Sequence, residues 1–392
     1  MKNTIAKRMK GVPQSFIREI LKVTDSEHVI SFAGGLPNPS TFPVKGLAKA
    51  CEDVLAEDGP KALQYGSTEG YFPLRQYISA RYMEKHGLKV GPDEILITTG
   101  SQQALDLAGK VLINQKDKVL MEGPGYLGAI QAFSMCSPVF KTVMLKDDGV
   151  DMDAFKKICS KEKIKLFYGV PNFHNPSGIT YSEQVRKELA AALSKFGVQF
   201  IEDDPYGELR FTGEKLSHIK SYYKDGILLG SFSKVVAPGM RIGWITAPKN
   251  IMKNLVTAKQ GADLHTNSLS QRILHRYLTD NDVDKHIQDI IKIYKNQRDI
   301  MIKAIEELLP DSVKHTSPEG GMFLWLTLPK QLDSTKLFNI AIKQNVAFVP
   351  GTHFYANGGG HNTMRLNFSN SSPEKIKEGI ERLGLAIKKM LK

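Results

Sequence analysis

The sequence predicts an α/β protein, with a mostly parallel sheet between helices in a large domain and a smaller α+β domain after it. Three observations predict it. Between residues 94 and 247, short apolar runs rich in Val, Ile, Leu and Phe alternate with helical patterns, the rhythm of strand–helix–strand crossovers. Beyond 248 the pattern turns mainly helical to about 309, then mixed. The composition, 41% hydrophobic and 24% charged over 392 residues, is that of a soluble chain with enough length for a large core and two or three domains.

Residues 1–14 read as an arm. A helix is expected over 15–24, with Phe16, Ile17, Ile20 and Leu21 on one face and Arg18 off it. Residues 30–43, ISFAGGLPNPSTFP, are dense in Gly and Pro and form a loop, with Gly34 and Gly35 allowing close approach. Helices follow over 45–57 and 74–85, the second entered through a turn that holds Tyr65, Ser67 and Gly70. The run EILITTG (94–100) is the first strand of the alternation. Its helix opens at Ser101 and Gln102, where free N–H groups and the helix dipole favour an anion. Tyr126 stands at the next strand–helix junction, after strand 118–122. Strand 139–145, helix 151–161 and strand 164–170 lead into the loop PNFHNPSG (171–178). Helix 182–196, capped by Ser182, precedes strand 198–202, which runs into Asp203, Asp204 and Tyr206. Strand 226–230 leads to Ser231, Ser233 and Lys234, and strand 241–247 returns from Arg241. Helices over 251–260, 270–278 and 282–307 come next. Strand 320–328, helix 335–344, strand 346–349, a glycine-rich solvent loop at 358–362, strand 364–367 with Arg365, and helix 373–390 close the chain.

Open α/β sheets bind ligands at the carboxyl ends of their strands. Ser101, Tyr126, Asn175, Asp203, Tyr206 and Lys234 all fall there. Lys234 is a primary amine between two buried strands, with two hydroxyls and a guanidinium nearby. That grouping suits a Schiff base with an aldehyde cofactor that carries a phosphate, since hydroxyls and a planar guanidinium partner a phosphate dianion. The segment alone also fits an ordinary turn lysine; its company at the strand ends favours the former.

The formal charge is +12, from 53 basic and 41 acidic residues. The lysines are dispersed along helices, as at Lys292, Lys295 and Lys303, so they read as solvated faces, and no nucleic-acid partner is expected. Cys51, Cys136 and Cys159 share no metal or disulfide spacing, which fits a reducing cytoplasm. The first residues are basic without an apolar core, so no secretory signal is expected, and no apolar run is long enough to span a bilayer.

The motifs IREILK, SFAGGLPNPSTFP, LQYGSTEGY, TGSQQALDL, PNFHNPSG, EDDPYGEL, SFSK and RIGW stand in one order along nearly the whole chain. Together they resemble the class I aminotransferases, pyridoxal-phosphate enzymes of fold type I, and most of all the 2-aminoadipate and kynurenine aminotransferase subgroup. The resemblance implies a cofactor, pyridoxal 5'-phosphate, with Lys234 as its Schiff-base lysine and Asp203 paired to its ring nitrogen. It implies that Asn175 and Tyr206 hold the ring's phenolic oxygen and that Tyr126 stacks on the ring. Ser101, Gln102, Ser231, Ser233 and Arg241 would cradle the phosphate. Tyr65 would reach a neighbouring subunit's phosphate, which implies a homodimer with shared sites. Arg365 would clamp the substrate carboxylate with help from Asn175 and Gly35, and Arg18 would meet an acidic side chain. Ser177 stands where most relatives have threonine, and Gly207 where many have a larger residue. His174 reads as a packing residue rather than a base, and His265 and Asn267 as candidates for the neighbouring subunit's pocket.

The implied activity moves the amino group of an L-amino acid (2-aminoadipate, kynurenine, aromatic or aliphatic) to a 2-oxo acid such as 2-oxoglutarate, in a ping-pong cycle. Two other readings share the scaffold: a C–S β-lyase, and a ligand-sensing regulator, which would carry a DNA-binding domain before IREILK. The domains are expected at 1–45 (arm, helix and loop), 46–285 (large, cofactor-binding) and 286–392 (small).

Overall fold

The computed structural model describes residues 4–6, 8–9, 12 and 28–391. The helix expected over 15–24, and Arg18 with it, lie outside the described residues. Strand β1 (Ile30–Ser31) enters the Gly- and Pro-rich loop, and helices α1 (Val44–Ala62) and α2 (Phe72–His86) follow. The alternation then runs β2 (Ile95–Thr98), α3 (Ser101–Leu112), β3 (Lys118–Gly123), α4 (Leu127–Ser134), β4 (Val139–Lys146), β5 (Gly149–Val150), α5 (Met152–Lys161), β6 (Leu166–Gly169), α6 (Glu183–Phe196), β7 (Gln199–Asp204), β8 (Ile227–Ser231) and β9 (Gly243–Thr246). Helices α7 (Lys249–Asp263), α8 (Ser268–Asp280) and α9 (Val283–Leu308) come next. The chain ends with β10 (Lys314–His315), β11 (Phe323–Thr327), α10 (Ser334–Ala341), β12 (Val346–Ala347), β13 (Val349–Pro350), β14 (Thr363–Asn367) and α11 (Pro373–Leu391).

Eight strands form the main sheet, in the order β2-β9-β8-β7-β6-β3-β4-β5. From β8 to β4 every neighbour is parallel. β9 runs antiparallel to both β8 and β2, which the alternation pattern did not foretell. The physical reason is the connection: residues 232–242 hold turns and no crossover helix, so the chain folds back on the strand it left. β5 and β10, of two residues each, are too short to carry a periodicity. α1 extends past the expected end at 57 because it kinks rather than stops: Asp58 leaves helical geometry (φ −141°) two residues before Pro60.

Burial on both faces explains the apolar runs. One face carries Leu120, Phe167 and Phe200 against α5 and α6, through Phe155, Leu189 and Leu193. The other carries Met121, Tyr168 and Ile201 toward Leu105 of α3 and Phe133 of α4. Each fully buried Leu or Phe contributes about 1.5–3 kcal/mol relative to exposure. The helix ends are capped as their residues suggest. Ser182 Oγ accepts from Val185 N (3.3 Å), and Asp151 Oδ1 from Ala154 N (3.0 Å). Gly197 ends α6 in the left-handed region (φ 62°), where glycine has no Cβ to clash.

A second sheet, β10-β11-β14-β13, is antiparallel; α10 packs on β13, and α11 packs on α9, α10, β1 and β12. β1 pairs in parallel with β12, so the segment after the arm is tied to the C-terminal part. This brings Gly35 and Ala33 beside β14 and over the carboxyl end of the main sheet. Among the described residues no helix is long and apolar enough to cross a membrane, and no cluster of metal-ligating side chains exists.

Candidate active site

A cavity of about 420 Å³ lies where the strand ends of the main sheet meet the loop after β1 and strand β14. Gly35, Ser101, Gln102, Tyr126, Asn175, Asp203, Tyr206, Ser231, Ser233, Lys234, Arg241 and Arg365 all line it. Thus most of the residues singled out in sequence converge, from positions spread over more than three hundred residues.

Lys234 occupies the turn after β8. Its Nζ donates to Gly35 O at 2.8 Å. Burial lowers its pKa, and the Arg365 and Arg241 guanidinium groups lower it further, to about 8. An amine held there is neutral far more often near physiological pH than an ordinary lysine, and the neutral form is the one that attacks a carbonyl. Ser231 Oγ donates to Ser233 Oγ (2.9 Å) and accepts from Ser233 N (3.1 Å), so the two hydroxyls share one small pole.

Arg241 completes that pole through an unusual backbone. It sits in the left-handed region (φ 54°), and its guanidinium donates to Thr99 O (3.2 Å) and Pro238 O (3.2 Å). Two glycines make room. A Cβ on Gly100 would stand 2.5 Å from Arg241 Nη2, and one on Gly243 would stand 2.9 Å from Gly100 C and Ser101 N. Ser101 and Gln102 open α3 immediately after Gly100, where the first N–H groups of a helix have no intrahelical acceptor. Gln102 Nε2 donates to Gly128 O (2.9 Å), which steadies the start of α4 beside Tyr126. Hydroxyls, N–H groups and a guanidinium therefore face one end of the cavity, a donor set that fits a phosphate.

Asp203, one residue before the end of β7, is 1% exposed. Burial raises its pKa to about 7; the hydrogen bond from Tyr168 opposes the shift, while the charges of Asp204 and Glu122 add to it. Tyr168 Oη donates to Asp203 Oδ2 at 2.7 Å. The other oxygen, Oδ1, is buried and has no partner. A buried carboxylate oxygen without a donor is costly, and a protonated ring nitrogen would satisfy it.

Tyr126 stands one residue before α4, with its hydroxyl pushed up to about 12 by burial. Asn175 Nδ2 donates to Tyr206 Oη (3.2 Å), and Asn175 Oδ1 accepts from Arg365 Nη1 (2.9 Å). Arg365 Nη2 donates to Ala33 O (2.6 Å), and its Nε is buried without a partner. The guanidinium stacks over Phe323 (4.4 Å) and Phe354 (5.3 Å). Burial lowers its pKa to about 10 despite the nearby tyrosines, so it stays a cation. A buried cation with a free N–H and, among the described residues, no ion-pair partner suits a ligand carboxylate.

Tyr65 does not enter this cavity. It is 79% exposed and meets His265 edge-on at 5.8 Å. His174 is fully buried, with Nδ1 2.7 Å from Ser177 Oγ and Nε2 3.1 Å from Glu122 Oε2, so it braces the loop that carries Asn175. Gly207 has a local reason. Its N–H donates to Asp204 Oδ1 (2.8 Å), and a Cβ there would stand 2.4 Å from Asp204 Oδ2. Sequence reasoning missed Tyr168, Phe323 and Phe354. The first had a signal: a hydroxyl inside the buried strand LFYG needs a partner.

The family model for aminotransferase class I and II matches residues 27–383. The chain belongs to that family. An aromatic-amino-acid aminotransferase of Thermococcus litoralis is 44% identical over 389 residues, 97% of this chain and 93% of that protein. The solved kynurenine aminotransferase of Pyrococcus horikoshii superposes with a TM-score of 0.95 at 42% identity, covering 99% of this aminotransferase and 98% of that chain. The α-aminoadipate aminotransferase of Thermus thermophilus, solved with N-(5'-phosphopyridoxyl)-L-leucine, superposes with a TM-score of 0.92 at 41% identity over 99% of this chain and 98% of that one. The protein is therefore an aminotransferase of fold type I, and the family implies pyridoxal phosphate. The unpartnered Asp203 oxygen, the lowered Lys234 amine and the donor-rich cradle fit that cofactor.

Proposed function

We propose that this aminotransferase holds pyridoxal 5'-phosphate on Lys234 and moves the amino group of an L-amino acid to a 2-oxo acid, with 2-oxoglutarate as acceptor, by a ping-pong cycle. The donors are 2-aminoadipate, kynurenine and aromatic or aliphatic amino acids. The observation that carries the reading is the convergence of Lys234 Nζ, the unpartnered Asp203 Oδ1 and the Arg365 guanidinium, whose Nε is unpartnered, on one cavity. The names of the relatives support the donor range.

When bound, the cofactor supplies an aldehyde that takes up the amino group and an electron-accepting ring that loosens the substrate's Cα proton. The chain's residues do the rest. Lys234 Nζ carries that proton to and from Cα once a substrate amine has freed it. Asp203 Oδ1 keeps the ring nitrogen protonated, and Asn175 and Tyr206 orient the ring's phenolic oxygen. Tyr126 covers a ring face. Ser101, Gln102, Ser231, Ser233 and Arg241 hold the phosphate. Arg365 binds the substrate carboxylate bidentately, with Asn175 and the backbone at Gly35 beside it. Arg18 meets an acidic substrate side chain.

We also propose a homodimer in which Tyr65 reaches the partner's phosphate. Leu63, Tyr65 and Leu264 stand exposed at 71%, 79% and 54%, an apolar surface that suits burial by a second copy. The chain divides at 45 and 285 into an arm, a large cofactor-binding domain and a small domain, a reading supported by the separation of the eight-stranded sheet from the four-stranded one. Three free cysteines support a cytoplasmic location.

The test is a single-turnover screen. Each natural amino acid is mixed with the loaded enzyme, and conversion of the cofactor to its amine form is followed by absorbance. Conversion by aminoadipate, kynurenine, aromatic and aliphatic amino acids is expected; conversion by none of them would end the reading.

A further inference from the structure

We infer that Tyr168 is a positioning residue for the reaction: its hydroxyl holds one oxygen of Asp203 in place and favours its charged form, so that the other is presented to the cofactor's ring nitrogen. This rests on the proposed role of Asp203.

The geometry comes from the sheet. Tyr168 on β6 pairs directly with Ile201 on β7, and Asp203 lies two residues further along β7. Side chains two apart share a face, so Tyr168 and Asp203 are diagonal neighbours, within reach of a long side chain. The phenol ring is fully buried and wedged edge-on against Phe133 at 5.8 Å between centroids. Both strands are central and fixed by parallel neighbours, so the 2.7 Å hydrogen bond to Oδ2 has little freedom to swing. The direction of the bond is fixed too. Burial and the Asp203 charge push the Tyr168 hydroxyl far above its usual value, so it always donates and the carboxylate accepts.

The effect on Asp203 follows. Titratable groups facing it are Tyr168 on β6, Tyr126 before α4 and Tyr206 after β7; Glu122 on β3 and its neighbour Asp204 act from the other side of the sheet. Both of those carboxylates disfavour charge on Asp203, as does burial. Among the described residues Tyr168 donates the one hydrogen bond that Asp203 receives, and it favours the charge. Without it, Asp203 would take a proton at a higher pH, and its carboxyl could rotate to spend Oδ1 elsewhere. A neutral or misaimed carboxyl would no longer hold the ring nitrogen protonated.

The test compares wild type with Tyr168→Phe and Tyr168→Leu. Phe keeps the ring and its packing on Phe133 and removes only the donor; Leu removes the ring as well. Far-UV circular dichroism and thermal melts confirm that each variant folds. The dissociation constant of pyridoxal phosphate is measured by equilibrium dialysis. The half-reaction with one amino acid is followed against pH. In Tyr168→Phe the dissociation constant should rise about 10- to 100-fold, the worth of a hydrogen bond to a charged acceptor. Its rate–pH profile should shift to alkaline pH, with kcat lowered and KM for the amino acid unchanged, because Arg365 and Asn175 are untouched. If Tyr168→Phe matches wild type while Tyr168→Leu is impaired, Tyr168 is a packing residue and the inference falls. It falls also if both variants match wild type. If wild type itself fails to bind the cofactor, it is the assignment of the site that fails instead.

Discussion

Lys234 and Asp203 are moved by the same cause in opposite senses. Burial disfavours charge on each, so the amine falls to about 8 and the carboxyl rises to about 7. The cavity therefore holds groups poised to change protonation near neutral pH, which is where proton transfer is efficient. For Lys234 the sign is definite. Its amine is neutral above its pKa, so the rate at which the cofactor-free enzyme forms its covalent bond with pyridoxal phosphate should climb with pH and level off past about 8. Stopped-flow absorbance from pH 6 to 11 reads this directly; a rise continuing to the ordinary lysine range near 10.5 would show that the cavity does not tune the amine. Lys234→Ala should lose any cofactor fixed by borohydride, as read by mass. It should also slow the amino-acid half-reaction by about 10²–10⁴-fold, the usual loss for a positioned acid–base group.

Strand β7 separates two kinds of chemistry by its pleat. Asp203 faces the cavity, while Glu202 and Asp204 point to the other face, where His218 lies 3.3 Å from Glu202 and 3.7 Å from Asp204. Burial alone would lower the pKa of His218, but the Glu202 hydrogen bond and both carboxylates outweigh it and raise it. A raised histidine stabilises the fold fully below its unfolded value near 6.5, and that share is lost as pH rises through the folded value. His218→Gln should therefore cost most at pH 6, by about 3–5 kcal/mol for a broken buried pair, and the gap to wild type should narrow toward alkaline pH. Denaturant melts of both proteins at pH 6 and pH 9 decide it; a gap that widens with pH would refute the pairing. This strand also marks what the sequence could and could not convey. Asp203, Tyr206 and Lys234 were legible because strand ends follow from apolar runs and turn residues. The eight-residue run PNFHNPSG placed Asn175 for the same reason. The partners of Tyr168 and His218 were not, because they depend on which strand lies beside which and on which face, a non-local fact. The antiparallel return of β9 was hidden likewise, since periodicity carries no direction. Phe323 and Phe354 came under Arg365 only through packing between β11, β14 and the loop before residue 355.

At the scale of the whole molecule, the cavity is lined on the side of β14 and the loop after β1, yet Tyr65 does not line it and Arg241 remains exposed at its donor-rich end. If a second copy covers that end, each site draws Tyr65 from one subunit and Lys234 from the other. Shared sites of this kind allow complementation. A subunit with Tyr65→Ala keeps Lys234 but robs its partner, and a subunit with Lys234→Ala keeps Tyr65 but has a dead site of its own. Homodimers of either variant should be weak or inactive. After the two are mixed, unfolded and refolded together in equal amounts, half of the dimers are hybrids. Each hybrid has one intact site, made of Lys234 from the first variant and Tyr65 from the second. The mixture should recover about one quarter of wild-type activity, as an isologous two-fold interface requires. Recovery confined to the refolded mixture, and absent when the proteins are only combined cold, would tie it to subunit exchange. No recovery, with Tyr65→Ala alone impaired, would place Tyr65 in a purely local role beside His265.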